Sequence, residues 1–200
     1  MTAALDHLLA QLGATSAPEA GAVLLGLAYS ALAVWRSRWC WVCGGLSSLV
    51  LVYLAARAGL PMQAALQVYY VAVSIYGFRR WQQQRDSPIA VSTWPLRSHL
   101  IALLAIIGVS AVSAHWLSAE TGAAWPFLDS LTTWASLLAT WLVVSMKLEN
   151  WLYWIAIDSV LVFLFAAQSL PSVALLYLMY LAIAAAGYVT WRRALQRHAL

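Results

Sequence analysis

Charge is what this sequence has least of. Asp, Glu, Lys and Arg together make 9% of its 200 residues, where an ordinary soluble domain carries about 25%. Hydrophobic residues make 64% and the mean hydropathy is +0.78. So few charges cannot cover a water-soluble fold, so most of the surface must face lipid. The length suits one membrane domain.

Cysteine is nearly absent as well. Cys40 and Cys43 form a C-x-x-C pair, but no second pair and no nearby His completes a zinc or redox site. The simpler reading is two small apolar residues at a helix start; a redox membrane enzyme is the alternative. The chain also lacks a glycine-rich phosphate loop and an H-E-x-x-H motif. His7, His99, His115 and His198 are scattered near span ends, none at a catalytic spacing from a carboxylate. No catalytic residue, metal site or cofactor is expected. Nor does a basic n-region precede the first apolar stretch, so no cleaved signal peptide is expected. The net charge of +4 does not point to nucleic acid. The Lys and Arg residues lie in short segments between apolar runs rather than in a patch, and the bilayer is the implied partner.

Apolar runs are abundant. A helix needs about 20 such residues to cross the hydrocarbon, and candidate spans cover 19–35, 40–58, 61–79, 97–116, 128–146, 148–167 and 171–190. An all-α integral membrane fold with seven transmembrane helices follows. Residues 1–17 are expected to form a short interfacial helix, 81–96 a polar cytoplasmic linker and 192–200 a basic cytoplasmic tail. Many of the twelve Trp lie near predicted helix ends, Trp35, Trp39, Trp81, Trp94, Trp125 and Trp191 among them, where amphipathic rings settle at the headgroups. Arg36, Arg38, Arg79, Arg80, Arg85, Arg97, Lys147, Arg192, Arg193 and Arg197 all fall on one side of a seven-span chain, against Arg57 on the other. This bias predicts an outer N-terminus and a cytoplasmic C-terminus.

The chain also repeats itself. At a shift of 110 residues without a gap, Trp41, Leu60-Pro61, Tyr70, Gly77 and Trp81 fall on Trp151, Leu170-Pro171, Tyr180, Gly187 and Trp191. Spans one to three (18–80) then correspond to five to seven (127–191), and span four (97–116) links them. The copies run in the same direction, a parallel three-plus-one-plus-three repeat. Two such bundles facing each other make a pathway, so a transporter is the leading class. A non-transporting membrane scaffold, whose polar stripes only join helices, is the competing one.

Polar groups deep in spans are costly and mark candidate sites. Span six carries Asn150, Trp151, Trp154 and Asp158 at three- and four-residue spacings, one helical face. Asp158 falls roughly 12–15 Å into the span, with no Lys or Arg at a comparable depth. A cationic substrate is one partner for it, and the indoles suit a cationic or flat heteroaromatic ring. The alternative is a protonated Asp158 hydrogen-bonded to a neighbouring Ser or Thr. Span five presents Asp129, Thr133, Ser136 and Thr140, with Thr132 beside them: Asp129 suits helix capping, and the hydroxyls suit packing or substrate contact alike. Span three presents Gln63, Gln67, Tyr70 and Ser74, Gln67 serving a pocket or an interhelical bond. Ser47 and Ser48 occupy the repeat positions of Ile157 and Asp158, so the copies diverge where a site would lie. Gly77 and Gly187 allow close helix packing.

Leu66-Gln67-Val68-Tyr69-Tyr70 with Tyr76-Gly77 and Trp81, Asp129-Ser130-Leu131-Thr132-Thr133, and Lys147 through Asp158 together resemble the Pnu family of bacterial vitamin transporters. The resemblance implies a fold similar to full-length SWEET sugar transporters, a homotrimer, and facilitated diffusion with trapping of the vitamin by a cytoplasmic kinase. It implies that the W-x-x-W of Trp151 and Trp154 stacks on the nicotinamide ring of nicotinamide riboside, a precursor of NAD, and that Gln67 is the family's mid-helix Gln. Some members carry Asn where this chain has Asp158. An acid there suits cationic nicotinamide riboside or thiamine and argues against uncharged riboflavin. The expected substrate-binding set is Trp151, Trp154, Asp158, Asn150, Gln67, Tyr70 and Thr133.

Overall fold

A computed structural model describes residues 16–59, 61–83, 90–121 and 125–198. Among them are seven helices: α1 (Ala17–Val34), α2 (Trp39–Arg57), α3 (Pro61–Gln83), α4 (Leu96–Thr121), α5 (Pro126–Val144), α6 (Asn150–Ala167) and α7 (Pro171–His198). Six are long and apolar enough to cross a membrane, and α3 is the exception. Its Gln63 and Gln67 lower the hydropathy of a helix that is nonetheless 23 residues long. The chain is a multi-pass helical membrane protein. The expected interfacial helix at 1–17 lies almost wholly outside the described residues, as does 84–89 of the expected linker.

The helices begin and end where backbone chemistry allows. At the start of α1, Ser16 Oγ accepts from Glu19 N at 3.4 Å while Glu19 Oε2 accepts from Ser16 N at 2.8 Å, a reciprocal capping box. At its end Arg36 N donates to Ala33 O and Ser37 N to Leu32 O, both at 3.0 Å. This is a Schellman closure, and it needs a left-handed residue just past the helix. Arg36 supplies it at φ 56, and Met146 does the same after α5 at φ 54. Gly59 and Ser169 close α2 and α6 at φ 70 and 59. Both pairs are separated by 110 residues, so the shift that aligns side chains also aligns the stops. Three helices outrun their apolar stretches. α3 continues to Gln83, α4 to Thr121 and α7 to His198.

Two three-helix units, α1–α3 and α5–α7, face each other. They meet where α1 packs on α7 and α3 on α5, while α4 lies against α5. Trp81 and Trp191, expected at the lipid headgroups, are instead buried at 2% and 0% exposure. Trp81 Nε1 donates to Val144 O at 3.1 Å, and Trp191 Nε1 is shared between Val34 O at 3.1 Å and Ala33 O at 3.2 Å. Each unit thus sends an indole to the last carbonyl of the other unit's first helix, a group the helix itself leaves unpaired. Beside them Trp41 meets Trp81 edge-on at 5.3 Å and Trp151 meets Trp191 edge-on at 5.4 Å. Gly77 and Gly187 lie against these rings, where an added Cβ would come within 2.5 and 2.6 Å of Trp41 and Trp151. Trp35, Trp39 and Trp125 are exposed, as rings at a membrane interface are.

The linker ahead of α4 is docked rather than loose. Ser92 N donates to Met146 O at 3.0 Å and Leu148 N donates to Ser92 O at 2.9 Å, a single parallel bridge onto the α5–α6 junction. Lys147 Nζ donates to Ser92 Oγ at 2.9 Å, and Glu149 Oε1 accepts from Trp94 N at 3.0 Å.

Candidate transport cavity

Between the two units lies a cavity of about 280 Å³, near the small end of the roughly 300–1,000 Å³ typical of ligand pockets. All six helices of the two units line it, and α4 does not. On one wall α6 contributes Trp151, Trp154 and Asp158, and α7 contributes Tyr177 and Tyr180. On the other, α2 contributes Trp41, Gly44, Ser47 and Ser48, and α1 contributes Gly26, Tyr29 and Ser30. Tyr70 and Ser74 of α3 and Ser136 and Thr140 of α5 complete the ring.

Asp158 follows the α6 start by eight residues, about 12 Å along the axis, and is only 3% exposed. It makes no hydrogen bond to a Ser or Thr and no ion pair among the described residues, so its carboxyl group is left to the cavity. Burial makes an unpaired carboxylate expensive, and a cationic guest relieves that cost.

Trp151 and Trp154 play different parts. Trp151 is 3% exposed, wedged between Gly187 and Trp191, and its position is repeated by Trp41 in the other unit. Trp154 is only partly buried and has more ring to offer a guest. The α5 hydroxyls are spoken for as donors. Thr140 Oγ1 donates to Ser136 O at 2.8 Å and Ser136 Oγ to Thr132 O at 2.7 Å, back-bonding within the helix. With those protons so placed, lone pairs on the two oxygens are what they offer the cavity.

Of the seven expected site residues, Trp151, Trp154, Asp158 and Tyr70 line the cavity. Asn150, Gln67 and Thr133 do not. Asn150 is fully buried at the foot of α6, where Nδ2 donates to Lys147 O at 2.6 Å. Gln67 is 8% exposed, behind the lining. Thr133 lies on α5 one turn before Ser136 and two turns before Thr140, which do line the cavity. Asp129, expected to cap α5, sits in its first turn with no side-chain cap bond; its carboxylate acts there only through the helix dipole. Cys40 is buried and Cys43 partly so, and both are free thiols near the α2 start. Sequence reasoning missed Tyr29, Tyr177 and Tyr180. The repeat held a signal for two of them, since Tyr180 is the counterpart of Tyr70 and Tyr177 that of Gln67.

The profile of the nicotinamide mononucleotide transporter family matches residues 16–193, nearly all of the membrane domain. The chain belongs to that family. Among its relatives, the nicotinamide riboside transporter PnuC of Neisseria mucosa is 28% identical over 143 residues, 64% of this chain and 54% of that protein. The PnuC of Escherichia coli K12 is 27% identical over 153 residues, covering 63% of this chain and 64% of its own length. The chain therefore spans between half and two thirds of the PnuC relatives it matches. The riboflavin/roseoflavin transporter RibM of Streptomyces davaonensis is 30% identical over 175 residues, 84% of this chain and 81% of the relative. Among solved structures, the vitamin B3 transporter PnuC superposes with a TM-score of 0.73 at 23% identity, covering 98% of this chain and 91% of that one. At that identity the likeness is one of fold.

Proposed function

We propose that this chain is a facilitator for nicotinamide riboside in the bacterial inner membrane. The observation that carries the reading is Asp158, a buried carboxyl group in the cavity wall with no cation among its described neighbours. Nicotinamide riboside brings a flat pyridinium cation. Asp158 balances its charge, Trp154 stacks on its ring, and the oxygens of Ser136 and Thr140 accept from the ribose hydroxyls. The two units act as parallel repeats about an axis along the membrane normal, as in SWEET-like transporters, and open the cavity to either side in turn. Translocation itself requires no nucleotide: the guest moves down its gradient, and a separate cytoplasmic kinase traps it by transferring a phosphoryl group from a nucleoside triphosphate. The remaining proposals are a homotrimer and a C-terminus in the cytoplasm.

A second reading has an observation of its own. RibM aligns over more of its length than either PnuC relative does, which supports riboflavin. Calorimetry on purified protein with nicotinamide riboside, thiamine and riboflavin separates the two readings, and thiamine binding more tightly than nicotinamide riboside would move the assignment to thiamine. The proposal expects the two cations to bind and riboflavin to bind at least about tenfold more weakly, a gap of about 1.4 kcal/mol. Riboflavin binding more tightly than both cations would transfer the assignment to the RibM type. Binding of none at sub-millimolar concentration would end the substrate reading.

A further inference from the structure

The 110-residue shift pairs Gly44 of α2 with Trp154 of α6. One unit therefore presents an indole to the cavity where the other presents no side chain at all. The space is not left open, however. A Cβ built on Gly44 would lie 2.8 Å from Cδ2 of Tyr29 and 3.4 Å from its Cγ and Cε2. The Tyr29 ring of α1 thus lies directly on the glycine, and Tyr29, Gly44 and Trp154 all line the one cavity. Trp41, one turn before Gly44 on α2, meets the Tyr29 ring edge-on at 5.6 Å. In the second unit the residue matching Tyr29 is Ala139, too small to compete with Trp154. Each unit therefore supplies one aromatic ring at equivalent places, from a different helix in each case. Glycine is what makes the exchange possible, because any Cβ at position 44 would push the phenol away.

We infer that Tyr29 is a specificity-determining residue, the second wall of a two-sided aromatic slot whose first wall is Trp154. The slot selects a flat, electron-poor ring, since such a ring gains from an aromatic face on each side and a puckered ring does not. The inference rests on the cationic-vitamin reading and deepens it.

The test compares nicotinamide riboside with its ring-reduced dihydropyridine form, on wild type, Tyr29→Phe and Tyr29→Leu, by calorimetry. Tyr29→Phe keeps the ring and is expected to bind nicotinamide riboside within about twofold of wild type. Tyr29→Leu is expected to lose about tenfold for the flat cation and to change little for the reduced form. If both ligands weaken by the same factor, Tyr29 only packs the site and the inference is overturned. Unchanged binding of the flat cation in Tyr29→Leu overturns it too. Failure of wild type to bind the cation at all would instead strike at the substrate reading, so the two failures are separable. Should Tyr29→Leu not fold, ¹⁹F NMR of fluorotyrosine-labelled wild type reads the contact directly, with the Tyr29 signal assigned by its absence in Tyr29→Phe. A shift on adding nicotinamide riboside supports the wall, and an unmoved signal overturns it.

Discussion

Two side chains on α6 carry the proposed chemistry, and each supports a separate prediction. Removing the Trp154 ring removes one face from the guest, so Trp154→Ala is expected to weaken nicotinamide riboside binding by at least about tenfold, or about 1.4 kcal/mol. Calorimetry checks this directly, and unchanged affinity would eliminate the stacking role. Asp158→Asn keeps the shape and deletes the charge. It is expected to weaken both cationic vitamins by about tenfold or more while leaving riboflavin unaffected, which a competition assay would read as a collapse of charge preference. A uniform loss for charged and neutral ligands alike would instead mean that Asp158 shapes the site. Gly187 tests packing rather than binding. A methyl there meets the Trp151 ring at 2.6 Å, so Gly187→Ala is expected to cost about 1–3 kcal/mol of stability, seen as a lower thermal midpoint in detergent.

Between elements, the decisive contacts are the two indole bonds that join each unit to the first helix of the other. Trp81→Phe and Trp191→Phe each leave a buried C-terminal carbonyl without its donor, at a cost of about 1–3 kcal/mol apiece. Because the two bonds occupy equivalent places in the repeat, similar losses are expected from the two variants. Thermal unfolding followed by tryptophan fluorescence measures both; a large loss from one and none from the other would mean that the interface is not reciprocal. These tryptophans show where reading from sequence reaches its limit. Position near a helix end suggested the headgroup belt, and Trp35 and Trp39 are exposed, as that placement requires. For Trp81 and Trp191 the same position along the helix faces the partner unit. Only the repeat match, which pairs these two and not the exposed ones, hinted at the difference.

For the molecule as a whole, two three-helix units surround one cavity with unlike walls. A copied backbone gives symmetry of frame, while Ser48 against Asp158 and Gly44 against Trp154 give asymmetry of chemistry. The proposed sidedness has its own measurement. A cysteine introduced at Arg193, at the exposed end of α7, is expected to react with a membrane-impermeant reagent in inside-out vesicles and not in intact cells. Labelling in intact cells would reverse the orientation.

Composition and spacing were enough for the membrane, the all-helical class and the acid on α6. These depend on hydropathy and on periodicity along the chain, which are local quantities. The membership of the cavity was not local. Gln67, Asn150 and Thr133 lie on the same polar stripes as residues that do face it, but a turn's difference in position, set by how neighbouring helices cross, turns them elsewhere. Tyr29, Tyr177 and Tyr180 read as ordinary aromatic residues in apolar helices until α1 and α7 were brought against the opposite unit. A stripe fixes a face of a helix. Which part of that face meets open space depends on the glycines and tryptophans that set the distance between helices, and those contacts exist only once the two units have closed on each other.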